Sequence, residues 1–533
     1  MARQVIAYDS TLRDGAQAQG VSFTVEDKLK IVERLDELGI GYIEAGNPGS
    51  NPKDLEFFER VGALKLKHSK IIAFGSTRKV GIHAADDNNL KSLLRANTHS
   101  VAIFGKSWDY QVTDILRTTL QENLSMIGDT IAFLKQQGKE VVFDAEHFFD
   151  GYKANADYAM QTLQAAADAG ADVLALCDTN GGTFPNEIFE ITQKVVARFG
   201  VKIGIHCHND CEMAVANSVA AVQAGAVQVQ GTINGIGERC GNANLCSIIP
   251  NLQLKLGLSC IPQENIATLT AAARFVSDVA NMTFNDKAPY VGNDAFSHKG
   301  GMHIDAVSKN PISYEHINPA QVGNMRHILV SEVAGRSALL SKIHEVDASL
   351  GKDSADTRRI LEHIKALEHE GYQFESAEGS VQLLVRRELG KFRPFFAFKE
   401  YQVSIHEPAV NGVNSSASIK LLVNGQEEVM SAEGDGPVNA LDKAMRRALE
   451  HFYPAISEVR LTDYKVRVLD SDRATAAKVR VLIESADHFE SWTTTGVSTD
   501  VVDASWRAMI DAIEYKLMRD QERMASAEQV AVV

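Results

Sequence analysis

Along the first half of the chain, short apolar runs alternate with longer segments whose apolar residues recur every three or four positions. The runs are QVIAYD (4–9), GYIEAG (41–46), KIIAFG (70–75), SVAIFGK (100–106), EVVFDAEHF (140–148), DVLALCD (172–178), KIGIHCHN (202–209) and AVQVQGTING (226–235). Between them, VEDKLKIVERLDELG (25–39) and ADYAMQTLQAAADAG (156–170) carry the helical period and close on a glycine, as a helix C-terminus does. Strands alternating with helices predict parallel β-α-β units. Eight such units in about 250 residues have the size of an α/β (β/α)8 TIM barrel. An open doubly wound sheet is the alternative. That fold usually places a Gly-rich phosphate turn after its first strand, whereas here the first strand runs into the polar loop Ser10-Thr11-Leu12-Arg13-Asp14-Gly15.

The rhythm changes after about residue 275. Residues 283–330 are rich in Gly, His, Asn and Pro, and 331–390 read as helices, which predicts a mostly helical linker region. Further on, YQVSIHEP…SASIKLLVNGQEEVMSAEG…VNALDKAMRRAL (401–449) is echoed by YKVRVLDS…AAKVRVLIESADHFESWTTTG…VDASWRAMIDAI (464–513). Each copy reads as three strands and a helix, so the C-terminal part is expected to be a pseudo-symmetric α+β domain with an internal repeat. Its few candidate catalytic residues suit a regulatory or assembly role. The expected division is a barrel at 1–280, linker subdomains at 281–392 and a regulatory, dimerising domain at 393–533.

The net charge of −15 disfavours a nucleic-acid binder, which would show a basic face. No apolar run approaches the roughly 20 residues that cross a bilayer, and the opening residues run straight into a strand without a signal peptide. The six cysteines are scattered, with no C-x-x-C, which reads as reduced thiols. Together these predict a cytoplasmic protein with neither membrane nor nucleic acid as partner.

Barrel chemistry sits at the C-terminal ends of the strands, and polar groups gather there: Arg13, Asp14 and Gln17 after strand 1, Glu44 after strand 2, Glu146 after strand 5, Thr179 after strand 6, His206 and His208 in strand 7, and Glu238, Arg239 and Asn242 after strand 8. His206-Cys207-His208 is the sharpest element. In a strand, residues i and i+2 point to the same side, so both imidazoles can reach one ion. A carboxylate completes a two-His-one-carboxylate set, and Asp14 is the best candidate. The bland alternative is a hydrogen-bonded polar rim. Asn242 is a plausible weak fourth ligand, although its loop could be only a tight turn. Arg13 offers a rigid donor fork to a carbonyl; otherwise it forms a salt bridge. Thr179 and Glu146 are candidates to contact a substrate carboxylate or hydroxyl, or merely to cap strand ends. Glu44 is either a further contact or the anchor of a barrel-interior arginine. The loop Ser76-Thr77-Arg78-Lys79 is a candidate CoA contact or a solvated loop. His298, His303 and Tyr314 lie in the irregular segment after the barrel, which could fold back over a neighbour's rim.

DSTLRDGAQ (9–17), HCHND (206–210) and GIGERCGN (235–242) resemble the 2-isopropylmalate, homocitrate and citramalate synthase family, whose metal-binding barrel also occurs in 3-hydroxy-3-methylglutaryl-CoA lyases. SHKGGMHIDAV (297–307) resembles the catalytic segment that follows the barrel in these synthases, and the repeated C-terminal domain resembles their allosteric dimerisation domain. Within the family, LCDTNGG (176–182) and EHFFDGYKAN (146–155) are most similar to the citramalate synthases. The resemblance implies a Claisen-type condensation of acetyl-CoA with a 2-oxo acid, pyruvate first, in isoleucine biosynthesis. Asp14, His206 and His208, with Asn242 nearby, are implied to hold Mn, Mg, Zn or Co. Arg13 is implied to steady the oxo-acid carbonyl, Glu146 and Thr179 to contact the 2-oxo acid, and His303 and Tyr314 to assist proton transfer; Gln17 and Glu44 at the strand ends are further candidate substrate contacts. A homodimer with an isoleucine effector at the C-terminal domain is expected. The rivals are the same chemistry on another oxo acid, a metal-dependent lyase, and a non-catalytic amino-acid sensor.

Overall fold

A computed structural model describes residues 3–328 apart from 51, and 342–531 apart from 345, 348, 352–353, 375–376, 411–412, 470–475 and 488–489. Two compact units result: residues 1–296 with 316–326, and residues 297–315 with 327–533.

The first unit is a closed barrel of eight parallel strands in chain order: β1 (Ile6–Asp9), β2 (Tyr42–Glu44), β3 (Lys70–Ser76), β4 (Ser100–Lys106), β5 (Glu140–Glu146), β6 (Val173–Asp178), β7 (Lys202–Cys207) and β8 (Gln228–Gly231). Closure comes from β8 pairing back onto β1, with Ile6 opposite Gln228 and Asp9 opposite Gly231. The apolar runs are nearly continuous because the strands are buried on both faces. Tyr8, Tyr42, Ile72, Ala102, Val142, Val173 and Ala175 fill the interior. The alternate set, among it Ile43, Val101, Ile103, Val141, Phe143, Leu174, Ile203 and Ile205, packs outward against the helices.

The first helix, Val25–Leu38, shows why the helices start and stop where they do. Thr24 and Asp27 form a reciprocal capping box at its start, and Gly39, at φ 94°, takes the left-handed conformation that ends it. Helix Ala156–Asp168 ends on Ala169, with left-handed Gly170 (φ 93°) one residue later. Arg78 is not a free basic group of the loop after β3: its guanidinium is held by Glu122 and Asp129, both at 2.8 Å.

In the second unit, β9 (Ser297–His298) and β10 (His327–Ile328) pair in parallel. Helices Ala355–Glu370 and Glu378–Glu388 pack around Ile304, Ile360, Ile364, Val381 and Val385. The repeat then appears as two antiparallel sheets, β11 (Phe396–Val410), β12 (Val413–Val423), β13 (Gln426–Gly434), and β14 (Arg460–Val468), β15 (Val479–Ala486), β16 (Ser491–Ser498), each followed by a helix, Pro437–Leu449 or Val501–Ala531. One core joins the copies: Ile419, Leu421, Leu441 and Met445 from the first meet Val481, Ile483, Trp506 and Met509 from the second. No helix among the described residues is long and apolar enough to cross a membrane.

The ion pair of Lys28 and Asp54, 2.7 Å apart, lies buried between the first helix and Pro52–Val61, and Lys28 Nζ also donates to Ala45 O at 2.8 Å. Removing one partner strands a buried charge. Asp54→Ala is expected to cost about 3–5 kcal/mol of barrel stability in chemical denaturation. Arg60→Ala, which breaks the exposed pairing with Glu26 and Glu56, is expected to leave the denaturation midpoint nearly unchanged, because water already screens that pair.

Candidate functional site

The pleat that fills the barrel also builds its rim. Alternate residues of a strand share a face, so the rows that begin with Tyr8, Tyr42, Ile72, Ala102 and Val142 continue upward to Glu44, Phe74, Lys106, Asp144 and Glu146. The outward burial of Ile205, Cys207 and Val229 likewise turns His206, His208 and Gln230 inward.

Asp14 follows β1 in the tight turn Thr11–Gly15, where its N–H donates to Ser10 Oγ at 3.3 Å. Its Oδ2 faces His206 Nε2 at 3.7 Å and His208 Nε2 at 3.9 Å, and one ligand atom from each of the three buried residues lies within 4.8 Å of the others. The imidazole rings are 5.2 Å apart. Gln230 Oε1 meets His206 Nδ1 at 2.9 Å, and the Gln230 amide donates to Asp144 Oδ1 at 3.0 Å. That bond places the His206 proton on Nδ1 and leaves the Nε2 lone pair toward Asp14. Asn242 reaches the cluster from the loop after β8: its Nδ2 donates to Asp14 Oδ1 at 2.9 Å, while its buried Oδ1 has no hydrogen-bond partner among the described residues.

Arg13 is fixed on three sides. Its Nε donates to Glu44 Oε2 at 2.6 Å, its Nη1 to Asp14 Oδ2 at 2.9 Å, and its guanidinium lies 3.9 Å from the Phe74 ring centroid. Glu44, with no exposed surface, also accepts from Tyr8 OH at 2.7 Å and from Ser10 Oγ. In this geometry Glu44 anchors Arg13, with its oxygens engaged and enclosed. Glu146 pairs with Lys106 at 2.5 Å across the β4–β5 register. The Thr179 hydroxyl accepts from the His147 N–H at 2.8 Å, and Arg239 ties the Thr179 carbonyl to Asp210. Gln17 sits exposed on a 3-10 turn just after Asp14. His303 and Tyr314 belong to the second unit, where their rings stack 4.1 Å apart, and His298 pairs with Glu315 at 3.2 Å.

The electrostatics suit a cation. Burial pushes the Asp14 carboxyl up, but Arg13, His206 and His208 outweigh it and hold it well below the usual carboxylate range. Burial, reinforced by His206, lowers His208 to about 4, so its imidazole is neutral at pH 7 and free to donate a lone pair. Burial and then Glu44 raise Asp144 to about 7. The two imidazoles, one carboxylate and the unpartnered amide oxygen of Asn242 fit a divalent metal by donor type and by placement.

Asp144, Gln230 and Lys106 escaped the sequence reading. They stand at inward positions within strands, not in the loops beyond them, and carrying the alternation through each strand would have flagged all three.

The HMGL-like family profile matches residues 4–276, a homocitrate synthase post-HMGL domain-like profile residues 290–372, and the LeuA allosteric (dimerisation) domain profile residues 375–517. The (R)-citramalate synthase of Aquifex aeolicus is 54% identical over 98% of this chain and 99% of its own length. That of Geobacter sulfurreducens is 52% identical over 97% and 98%. The 2-isopropylmalate synthase of Methanocaldococcus jannaschii is 32% identical over 98% and 96%.

A Cβ at Gly237 would lie 2.0 Å from Asn242 Nδ2. Gly237→Ala is therefore expected to push the Asn242 amide off Asp14 and weaken divalent-metal affinity about 10–100-fold while Asp14, His206 and His208 stay in place. His206→Ala is expected to retain less than about a tenth of the wild-type metal, measured by elemental analysis after dialysis. Unchanged metal content in His206→Ala would falsify the assignment.

Proposed function

The chain belongs to the (R)-citramalate synthase family, a branch of the HMGL-like barrels, and from that premise we propose that it joins acetyl-CoA to pyruvate, with water, to give (R)-citramalate and CoA. The observation that carries the reading is the buried conjunction of Arg13 with Asp14, His206 and His208. A divalent cation held by those three residues and Asn242 (Mn, Mg, Zn or Co) supplies Lewis-acid polarisation of the ketone.

The chain's own groups do the rest. With Nε on Glu44 and Nη1 on Asp14, Arg13 keeps its Nη2 hydrogens for the ketone oxygen, where negative charge develops as C2 is attacked. Thr179 accepts from the His147 N–H, so its own hydroxyl hydrogen is available to the oxo-acid carboxylate, with Gln17 a further contact at the mouth. A base takes a methyl proton from acetyl-CoA, the enolate carbon bonds to C2, and the oxyanion is held by Arg13 until it is protonated. Water then cleaves the thioester and CoA leaves. Glu146, through the Oε1 that its Lys106 ion pair does not engage, or a water held by His303 serves as the base, with His303 and Tyr314 assisting proton transfer.

Around this core, the reading comprises a catalytic region 1–280, linker subdomains 281–392 and a regulatory domain 393–533. It includes a homodimer through the last of these, isoleucine as feedback effector there, a role in isoleucine biosynthesis, and a cytoplasmic location. The LeuA-type match over 375–517 supports the dimer and the regulation. A 2-isopropylmalate synthase reading is less favoured because the relative of that name shares 32% identity against 52–54% for the two citramalate synthases.

At equal acetyl-CoA, pyruvate is expected to exceed 2-oxoisovalerate in kcat/KM by at least about tenfold, within the 1–3 kcal/mol that small apolar differences in a substrate confer. CoA release assays check this, and a preference for the branched acid rejects the substrate assignment. Arg13→Lys cannot reproduce the fork to Glu44, Asp14 and substrate, and is expected to lower kcat about 10²–10³-fold while metal stays bound.

A further inference from the structure

The loops that leave β6, β7 and β8 at the barrel rim each give one group to a single contact. Arg239, from the loop after β8, donates through Nε to Asp210 Oδ1 at 2.7 Å and through Nη2 to Asp210 Oδ2 at 2.9 Å. This is the two-bond fork of a guanidinium on a carboxylate, which fixes direction as well as distance. The same Nη2 donates to the Thr179 carbonyl at 2.7 Å. Asp210 stands just beyond His208 in the chain, and Thr179 begins the loop after β6. One guanidinium therefore ties the loop of the metal-binding histidines to the loop that carries the Thr179 hydroxyl.

This pair differs from an ordinary surface ion pair. Its side chains are 39% and 24% exposed, and a pair so open to water adds little to stability. Yet Arg239 keeps a left-handed backbone, φ 56°, which costs a residue with a Cβ and persists only where its surroundings over-determine it. Those surroundings are tight: Asn209 N–H donates to Gly241 O at 2.9 Å, Cys211 N–H donates to Gly181 O at 3.2 Å, and a Cβ on Gly181 would lie 2.7 Å from Asp210 Oδ2. What the fork holds in place is Thr179. The threonine hydroxyl oxygen accepts from the His147 N–H at 2.8 Å, which fixes one end of the residue, and Arg239 fixes the other. The metal-binding groups have separate supports: Asp14 has Arg13 and Asn242, and His206 has Gln230.

We propose that Arg239, with Asp210, is a positioning residue for the 2-oxo acid. It sets the Thr179 hydroxyl at a fixed separation from Asp14, His206 and His208, so that the carboxylate of the acid is bound in register with its ketone. The inference rests on the reading of Thr179 as the contact for that carboxylate.

Steady-state kinetics of the full chain, with Mn in excess, test it on Thr179→Val, Arg239→Gln and the double variant. Arg239→Gln is expected to raise the pyruvate KM about tenfold or more while the acetyl-CoA KM stays within about twofold. Its bound metal, by elemental analysis, is expected to equal that of the wild type. Asp210→Asn, which weakens the fork from its other side, is expected to give the same pattern, and Arg239→Lys, which keeps the charge without the fork, to recover only part of the loss. Because Arg239 acts through Thr179, the double variant is expected to be no worse than Thr179→Val alone. Circular dichroism checks that each variant is folded. The proposal is overturned by an unchanged pyruvate KM in Arg239→Gln and Asp210→Asn, by an equal rise for both substrates, by loss of metal, or by additive losses in the double variant. An unchanged pyruvate KM in Thr179→Val removes the Thr179 contact and the proposal with it. A rise in Thr179→Val without one in Arg239→Gln removes the proposal alone.

Discussion

The Glu44 carboxylate is the point on which the barrel rim depends. It has no exposed surface and accepts from Tyr8, Ser10 and Arg13. Three donors offset the desolvation of a buried carboxylate, and the guanidinium cancels its charge. The consequence is geometric. An arginine that could otherwise sample many rotamers is clamped by Glu44 on one edge and by Phe74 on its face, and its other arm reaches Asp14. Asp14 in turn presents Oδ2 to two imidazoles. Removing Glu44 would therefore disturb the cluster without touching any proposed ligand.

The same burial explains why the cluster suits a dication. Arg13 and Glu44 balance each other, and burial keeps the His208 imidazole neutral at pH 7. Asp14, held ionised below the usual range by Arg13 and the histidines despite its burial, leaves one net negative charge in a site nearly closed to water. A divalent ion held by Asp14, His206 and His208 would reverse that balance and make the site positive toward a charged oxo acid and the oxyanion formed from it. Asp144 sits deeper, raised to about 7 first by its burial, and its hydrogen bond from Gln230 holds the amide that aims His206.

How much of this was legible in the sequence follows from what each signal measures. All eight strands were, because parallel strands buried on both faces are marked by apolar runs. The His206–His208 pair was, because an i, i+2 spacing in a strand is a statement about one face. Glu44 was only half legible: an acid at a strand end looks the same whether it meets substrate or an arginine, and the choice depends on Arg13, 31 residues away in sequence. Gln230 and Asp144 carried no motif and were recoverable only by following the pleat through each strand. The partners of Arg78 were hidden in the sequence, since Glu122 and Asp129 lie on a helix more than forty residues later. The spacing of His303 and Tyr314 said nothing about the stacking of their rings.

The C-terminal repeat shows how one pattern can yield two environments. Both copies fold as three antiparallel strands and a helix around a shared core, as the repeated sequence implies. Yet β13, the third strand of the first copy, is largely exposed, whereas β16, its counterpart in the second, is covered by helix Glu378–Glu388. A bare sheet edge is a liability and a covered one is not. Covering an edge with a helix leaves space wherever the two surfaces do not match, and at β16 that space is lined by Thr495 and Arg507. The asymmetry arises from residues outside the repeat, above all Ser380, whose hydroxyl bridges Thr495 and Asp511. Comparing the copies with each other would not reveal it; the difference lies in what packs against them.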